Sequence, residues 1–170
     1  MGDPFVDVAA VVAGFPVDDF SEPDLRQLLT HTRRVENVVK GLVYRIGARA
    51  DLLATEGKAA PSGDFLGNDG KTKSSSSRRD SQRSKTASEN PSVGDAAGAG
   101  DIGEDHIDSI TRRLKGLTDE ERARVDLEGL LKKAKTMSAD GNGRTPGFVA
   151  FLEFRTETPG YITRSGGTCP

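Results

Sequence analysis

Between Leu25 and Leu53 apolar side chains recur in alternating steps of three and four: Leu25, Leu28, Val35, Val39, Leu42, Ile46 and Leu53. Thr32 and Arg49 occupy the same rhythm as its two polar interruptions, and Leu29, Val38 and Val43 widen the stripe. Only an α-helix places residues so spaced on one side, and a stripe this long needs partner helices to cover it. The bounds are also written in the sequence. Ser21 is a helix-capping residue, Pro23 suits a first turn, and Asp24 stands three positions after Ser21, close to capping-box spacing. Gly57 supplies the stop. His31 lies beside the stripe with Arg34 and Val35 at the next ligand-spaced positions, so it has no metal-binding partner and is assigned no role.

The 170 residues suggest one domain, yet only 34% are hydrophobic and 5% aromatic, which limits the core and points to polar segments outside it. The fold expected is mainly α: the long amphipathic helix packed with a C-terminal helical hairpin, plus a disordered or weakly structured basic Ser-rich segment and tail. Upstream, "FVDVAAVVAGFPVDDF" reads as a short helix packing on the long one, stopped by Gly14 and Pro16. The lone Cys169 excludes an internal disulfide and a cysteine metal cage, and no apolar run approaches the ~18 residues of a membrane span. The expectation is a cytoplasmic chain with no membrane partner.

Net charge of −2 hides strong segregation. The first 24 residues carry six acids and no Lys or Arg, whereas Lys71 to Lys85 carries six bases, Lys71, Lys73, Arg78, Arg79, Arg83 and Lys85, against the single acid Asp80. Those six are the candidate nucleic-acid contacts, able to neutralise phosphates without reading sequence. No aromatic is interleaved with them for base stacking, so a solvated polar segment, flexible over about residues 58–90, is the plainer expectation.

"GDIGEDHIDSI" gathers His106 with Asp101, Glu104, Asp105 and Asp108. Zinc would require a second ligand three or four residues from His106, where Ile102, Gly103, Ser109 and Ile110 stand instead. Acids at a helix start interact well with its positive dipole end, and Ile107, Ile110 and Leu114 share one helical face, so the motif reads as a helix N-terminus rather than an acid–base or metal site. After Gly116, Thr118 and Glu121 have capping-box spacing ahead of Ala123, Leu127, Leu130, Ala134 and Met137, which predicts one further helix and completes a hairpin over 103–137. From Ala139 helix-forming sequence gives way to an irregular tail, 139–170, in which "FVAFLEF" could form a short strand.

The order of the long helix "LRQLLTHTRRVENVVKGLVYRIGARADLLA", the polar "SSRRDSQRSKTASENPSVGDA" and "AGDIGEDHIDSITRRLKGLTDEERARV" resembles the N-terminal helical domain of unknown function found in actinobacterial HNH endonucleases and repeat-family relatives, over about residues 8–138. The resemblance implies the non-catalytic half of a metal-dependent nuclease, positioning DNA or mediating assembly. An HNH centre requires a further His or Asn to hold its divalent ion. After His106 the sequence has no histidine, and Asn142 is its only asparagine. The expectation is therefore a truncated or frameshifted relative with no catalytic, cofactor or metal residues of its own. Two other expectations stand beside it: a helical module dimerising through Leu25–Leu53, and a weak sequence-blind nucleic-acid binder through 71–85.

Overall fold

A computed structural model describes residues 6–68 and 70–137. The irregular tail, the strand expected in "FVAFLEF" and Cys169 lie outside them. Eight helices run in order among the described residues: α1 (Val6–Ala13), α2 (Glu22–Thr55), α3 (Ser62–Phe65), α4 (Ser74–Glu89), α5 (Pro91–Gly98), α6 (Glu104–Leu114), α7 (Asp119–Ala123) and α8 (Leu127–Ala134). The fold is mainly helical, with a long helix packed on shorter ones. No helix described is long and apolar enough to cross a membrane.

The chain divides into two units within α2, one up to Val35 and one from Glu36 onward. In the first, α1 buries none of its side chains, contrary to the expected packing of an apolar helix. Its connection to α2 is held by an edge-to-face contact of Phe15 with Phe20, ring centres 6.0 Å apart. The Ser21 hydroxyl donates to the Asp24 carboxylate at the start of α2.

In the second unit α2 ends as the sequence predicts. Gly57 adopts φ +70°, and the Lys58 and Gly57 amides donate to the Leu53 and Ala54 carbonyls at 2.9 and 3.0 Å, closing the last turn. The face that α2 buries is not the apolar stripe. It consists of Gly41, Tyr44, Gly47 and Ala50, one turn apart. A Cβ on Gly41 would stand 2.6 Å from the Ala97 carbonyl oxygen of α5, and one on Gly47 would collide with the Ser84 side chain of α4. Missing side chains at these two positions let three helix backbones approach closely around the Tyr44 ring, which is 2% exposed.

The Ser-rich segment expected to be flexible is instead α4, the central helix, packed against α3, α5 and α6. Almost without aliphatic side chains, it is accommodated because its inward polar groups are all paired. Ser84 and Thr86 hydroxyls donate to backbone carbonyls one turn back. The Ser62 hydroxyl of α3 joins Ser81 of α4 to Asp51 of α2, whose carboxylate also accepts the Ser62 amide at 2.7 Å. Among the described residues no buried side-chain nitrogen or oxygen lacks a hydrogen-bond partner. The aliphatic core lies further along, where Val93, Ala96 and Ala97 of α5 meet Ile102, Ile107, Ile110 and Leu114, with Leu130, Leu131 and Ala134 of α8.

Helix α6 starts at Glu104 as expected, and the Thr118–Glu121 capping box forms, with the Thr118 amide donating to the Glu121 carboxylate at 2.8 Å. These hydrogen bonds from Thr118 hold the Glu121 carboxyl below its ordinary range. The single helix expected after Gly116 is two, because Asp126 caps a fresh start: its carboxylate accepts the Gly129 amide at 2.8 Å.

Gly41→Ala drives a methyl into the Ala97 backbone, which no rotamer change relieves. Urea denaturation is expected to show a loss of about 1–3 kcal/mol, the usual cost of overpacking. A neutral or stabilising result would mean the two backbones are not in close contact.

Candidate functional site

Three of the four carboxylates of "GDIGEDHIDSI", Asp101, Glu104 and Asp108, turn toward protein cations. Arg83 of α4, 7% exposed, is their focus. Its Nε and Nη2 donate to the two oxygens of Asp108 at 2.8 and 2.7 Å, a bidentate pair. Its Nη1 reaches Asp80 at 3.0 Å and Glu104 at 3.1 Å. Glu104 also holds Lys40 of α2 at 2.9 Å and lies 3.5 Å from the Tyr44 hydroxyl. Asp101 pairs with Lys135 at 2.8 Å, and Asp105 accepts the Ser109 hydroxyl on its backbone carbonyl.

His106 caps the helix it begins. Its Nδ1 accepts the Gly103 amide at 3.4 Å, which leaves Nε2 as the donor to the Met137 carbonyl at 3.0 Å. Both ring nitrogens thus serve packing. Among the described residues no group of three His, Cys, Asp or Glu side chains is placed to hold a metal ion.

Burial acts against the Arg83 charge, but hydrogen bonding and attraction to Asp108, then Glu104, overcome it and raise its pKa further. The Tyr44 hydroxyl is pushed up by burial and then by the Glu104 carboxylate, and Lys40 is raised by its hydrogen bond to Glu104. The network links α2, α4 and α6.

The six cations expected to meet nucleic acid divide. Lys71 and Lys73 are exposed just before α4, and Arg78, Arg79 and Lys85 are exposed along it. Arg83 is inside, engaged by its three carboxylates. Arg79 and Lys85 also line a groove between α4 and α6 with three cations that the reading of the basic run missed: Arg112, Lys115 and Arg122. The only signal for these was spacing, since Arg112 and Lys115 recur at three residues on a helix whose other face is apolar.

The apolar stripe of α2 faces outward. In the second unit Val38, Val39 and Ile46 are 40%, 52% and 42% exposed, and Leu42, Val43 and Leu53 are half-buried. Leu42, Ile46, Leu53 and Phe65 line a shallow hollow of about 400 Å³ rimmed by Arg45 and Arg49. Leu25, Leu29 and Val35 are likewise exposed in the first unit. No protein-family model, curated protein or solved structure matches this chain.

Two measurements test the network. Arg83→Ala leaves three carboxylates facing one another without their main cation, and is expected to cost about 3–5 kcal/mol in chemical denaturation; a loss of under about 1 kcal/mol, the scale of a surface pair, would rule the network out as an organising element. Tyr44 and Lys40 both have raised pKa values in the fold, so their contribution is complete below the ordinary values of 10.0 and 10.5 and is lost as pH climbs through the folded ones. Stability should be level from neutrality to about pH 9.5 and fall above about pH 10, less steeply in Tyr44→Phe. An identical alkaline profile in the variant would contradict the role given to Tyr44.

Proposed function

We propose that this chain is a non-catalytic helical association domain that pairs with a second copy of itself through the outward apolar face of α2, in the role implied by its resemblance to the N-terminal helical region of HNH endonucleases. The observation that carries this reading is the inversion of α2: the small residues are buried while Val38, Val39 and Ile46 are exposed, and Ile46 lines an open apolar hollow with Leu42, Leu53 and Phe65. Apolar side chains gathered at this density on a surface mark a contact site. Steps of three and four are the spacing by which paired helices interlock, which favours another α2 over an unrelated groove. The non-catalytic part of the reading is supported by the two histidines: His31 is exposed on α2 without a ligand-spaced neighbour, and His106 is engaged through both ring nitrogens.

Sedimentation velocity from low to high micromolar concentration is expected to show a monomer–dimer equilibrium. Ile46→Glu, which buries a charge in the seam, should weaken it by roughly tenfold or more without altering the helical circular dichroism. A wild-type chain that stays monomeric throughout would refute self-association. Incubation of the purified chain with plasmid and Mg²⁺ or Mn²⁺ should leave the DNA intact, and cleavage that tracks with the protein through every column would refute a non-catalytic role.

A further inference from the structure

We infer that the groove between α4 and α6 binds the phosphate backbone of duplex nucleic acid. Two adjoining hollows of about 480 and 330 Å³ share Gln82, Thr111 and Lys115 and so form one channel. Five cations line it: Arg79 and Lys85 of α4, Arg112 of α6, Lys115 just past the end of α6, and Arg122 of α7, all exposed. Among the described residues Arg79, Lys115 and Arg122 make no ion pair.

The two carboxylates of the channel do not balance these charges. Both oxygens of Asp108 are held by Arg83, and Glu89 stands 3.8 Å from Lys85 on the exposed rim, where such a pair is weak. The buried arginine thus occupies both oxygens of this acid and offsets part of its charge, while five cations outnumber the two carboxylates of the channel. Along the floor the Thr86 and Thr111 hydroxyls meet at 2.8 Å, and the Asn90 side-chain amide, donating to the Thr86 carbonyl, adds a further polar group.

Dimensions decide the kind of anion. Arg79 to Asn90 spans about 16 Å of helix at ~1.5 Å per residue. A duplex strand rises about 3.4 Å along the axis per nucleotide but winds around it, so its successive phosphates stand roughly 6–7 Å apart and the channel follows about two to three of them, each within reach of more than one cation. A single nucleotide would leave most of those cations unengaged. No aromatic side chain lines the channel, so bases have nothing to stack on and a duplex, whose phosphates face outward, fits better than a single strand. Contacts of this kind position a backbone and read no sequence.

The experiment is fluorescence-anisotropy titration of the full chain with duplex DNA of two unrelated sequences, a single strand and poly-glutamate, over a range of salt. Two to three contacts predict a slope of about −1.8 to −2.7 in log affinity against log salt, so affinity falls roughly 12- to 40-fold from 50 to 200 mM salt, equally for both sequences. Arg79→Gln combined with Lys115→Gln should shrink that drop to about fourfold or less, while Lys71→Gln with Lys73→Gln leaves the slope unchanged. Circular dichroism confirms that these surface variants fold. No duplex binding at low salt, an unchanged slope in the Arg79/Lys115 variant, a tighter single strand, or poly-glutamate binding as well as DNA would each overturn the assignment.

Discussion

One guanidinium group organises the centre of this protein. Arg83 sits where α2, α4 and α6 converge, and its Nε, Nη1 and Nη2 reach Asp80, Glu104 and Asp108. A buried arginine with one carboxylate would gain little over an apolar pair, since desolvation consumes most of the attraction. Here the arginine solves a different problem. α4 has too few apolar atoms to be drawn inward by hydrophobic burial, and α6 presents acids on the side facing it. Each helix is acceptable inside only in the presence of the other, so the ion network specifies which helix stands at the centre.

The same arrangement explains what was legible in the sequence. Helix bounds were, because they rest on local chemistry: Gly57 in a left-handed turn, His106 reaching back to Gly103, Thr118 with Glu121. The break at Asp126 was missed because an aspartate in a helical run reads equally as a surface charge, and only the free Gly129 amide makes it a cap. The place of α4 was missed for a deeper reason. Serines, Asp80 and Arg83 resemble a solvated segment in any single-sequence reading, and their burial depends on Asp51, Glu104 and Asp108, which lie 20 to 30 residues away.

The stripe of α2 was legible as a helical face in need of partner helices, but the side by which α2 packs on the helices of its own unit was not. Periodicity states that apolar side chains share a side and says nothing of what covers that side. The packed side is chemically inconspicuous: glycine, tyrosine, glycine and alanine carry no hydrophobic signal comparable to seven Leu, Val and Ile residues. The candidate cations show the same limit. A linear run from Lys71 to Lys85 suggested one patch, whereas the fold withdraws Arg83 and brings Arg112, Lys115 and Arg122 beside Arg79 and Lys85.

Tyr44 flanked by Gly41 and Gly47 also has a mechanical meaning. The ring is a peg between two notches, and the notches admit neighbouring backbones only at one rotational setting. Turning α2 about its axis by a single residue, about 100°, would carry Leu42 or Lys40 into the space beside Ala97, where not even a methyl group fits. The helix is thereby keyed like a shaft in its hub, able to transmit torque to α4 and α5 but unable to slip against them. Whatever grips its outer side takes hold of a part already aligned with the rest of the unit.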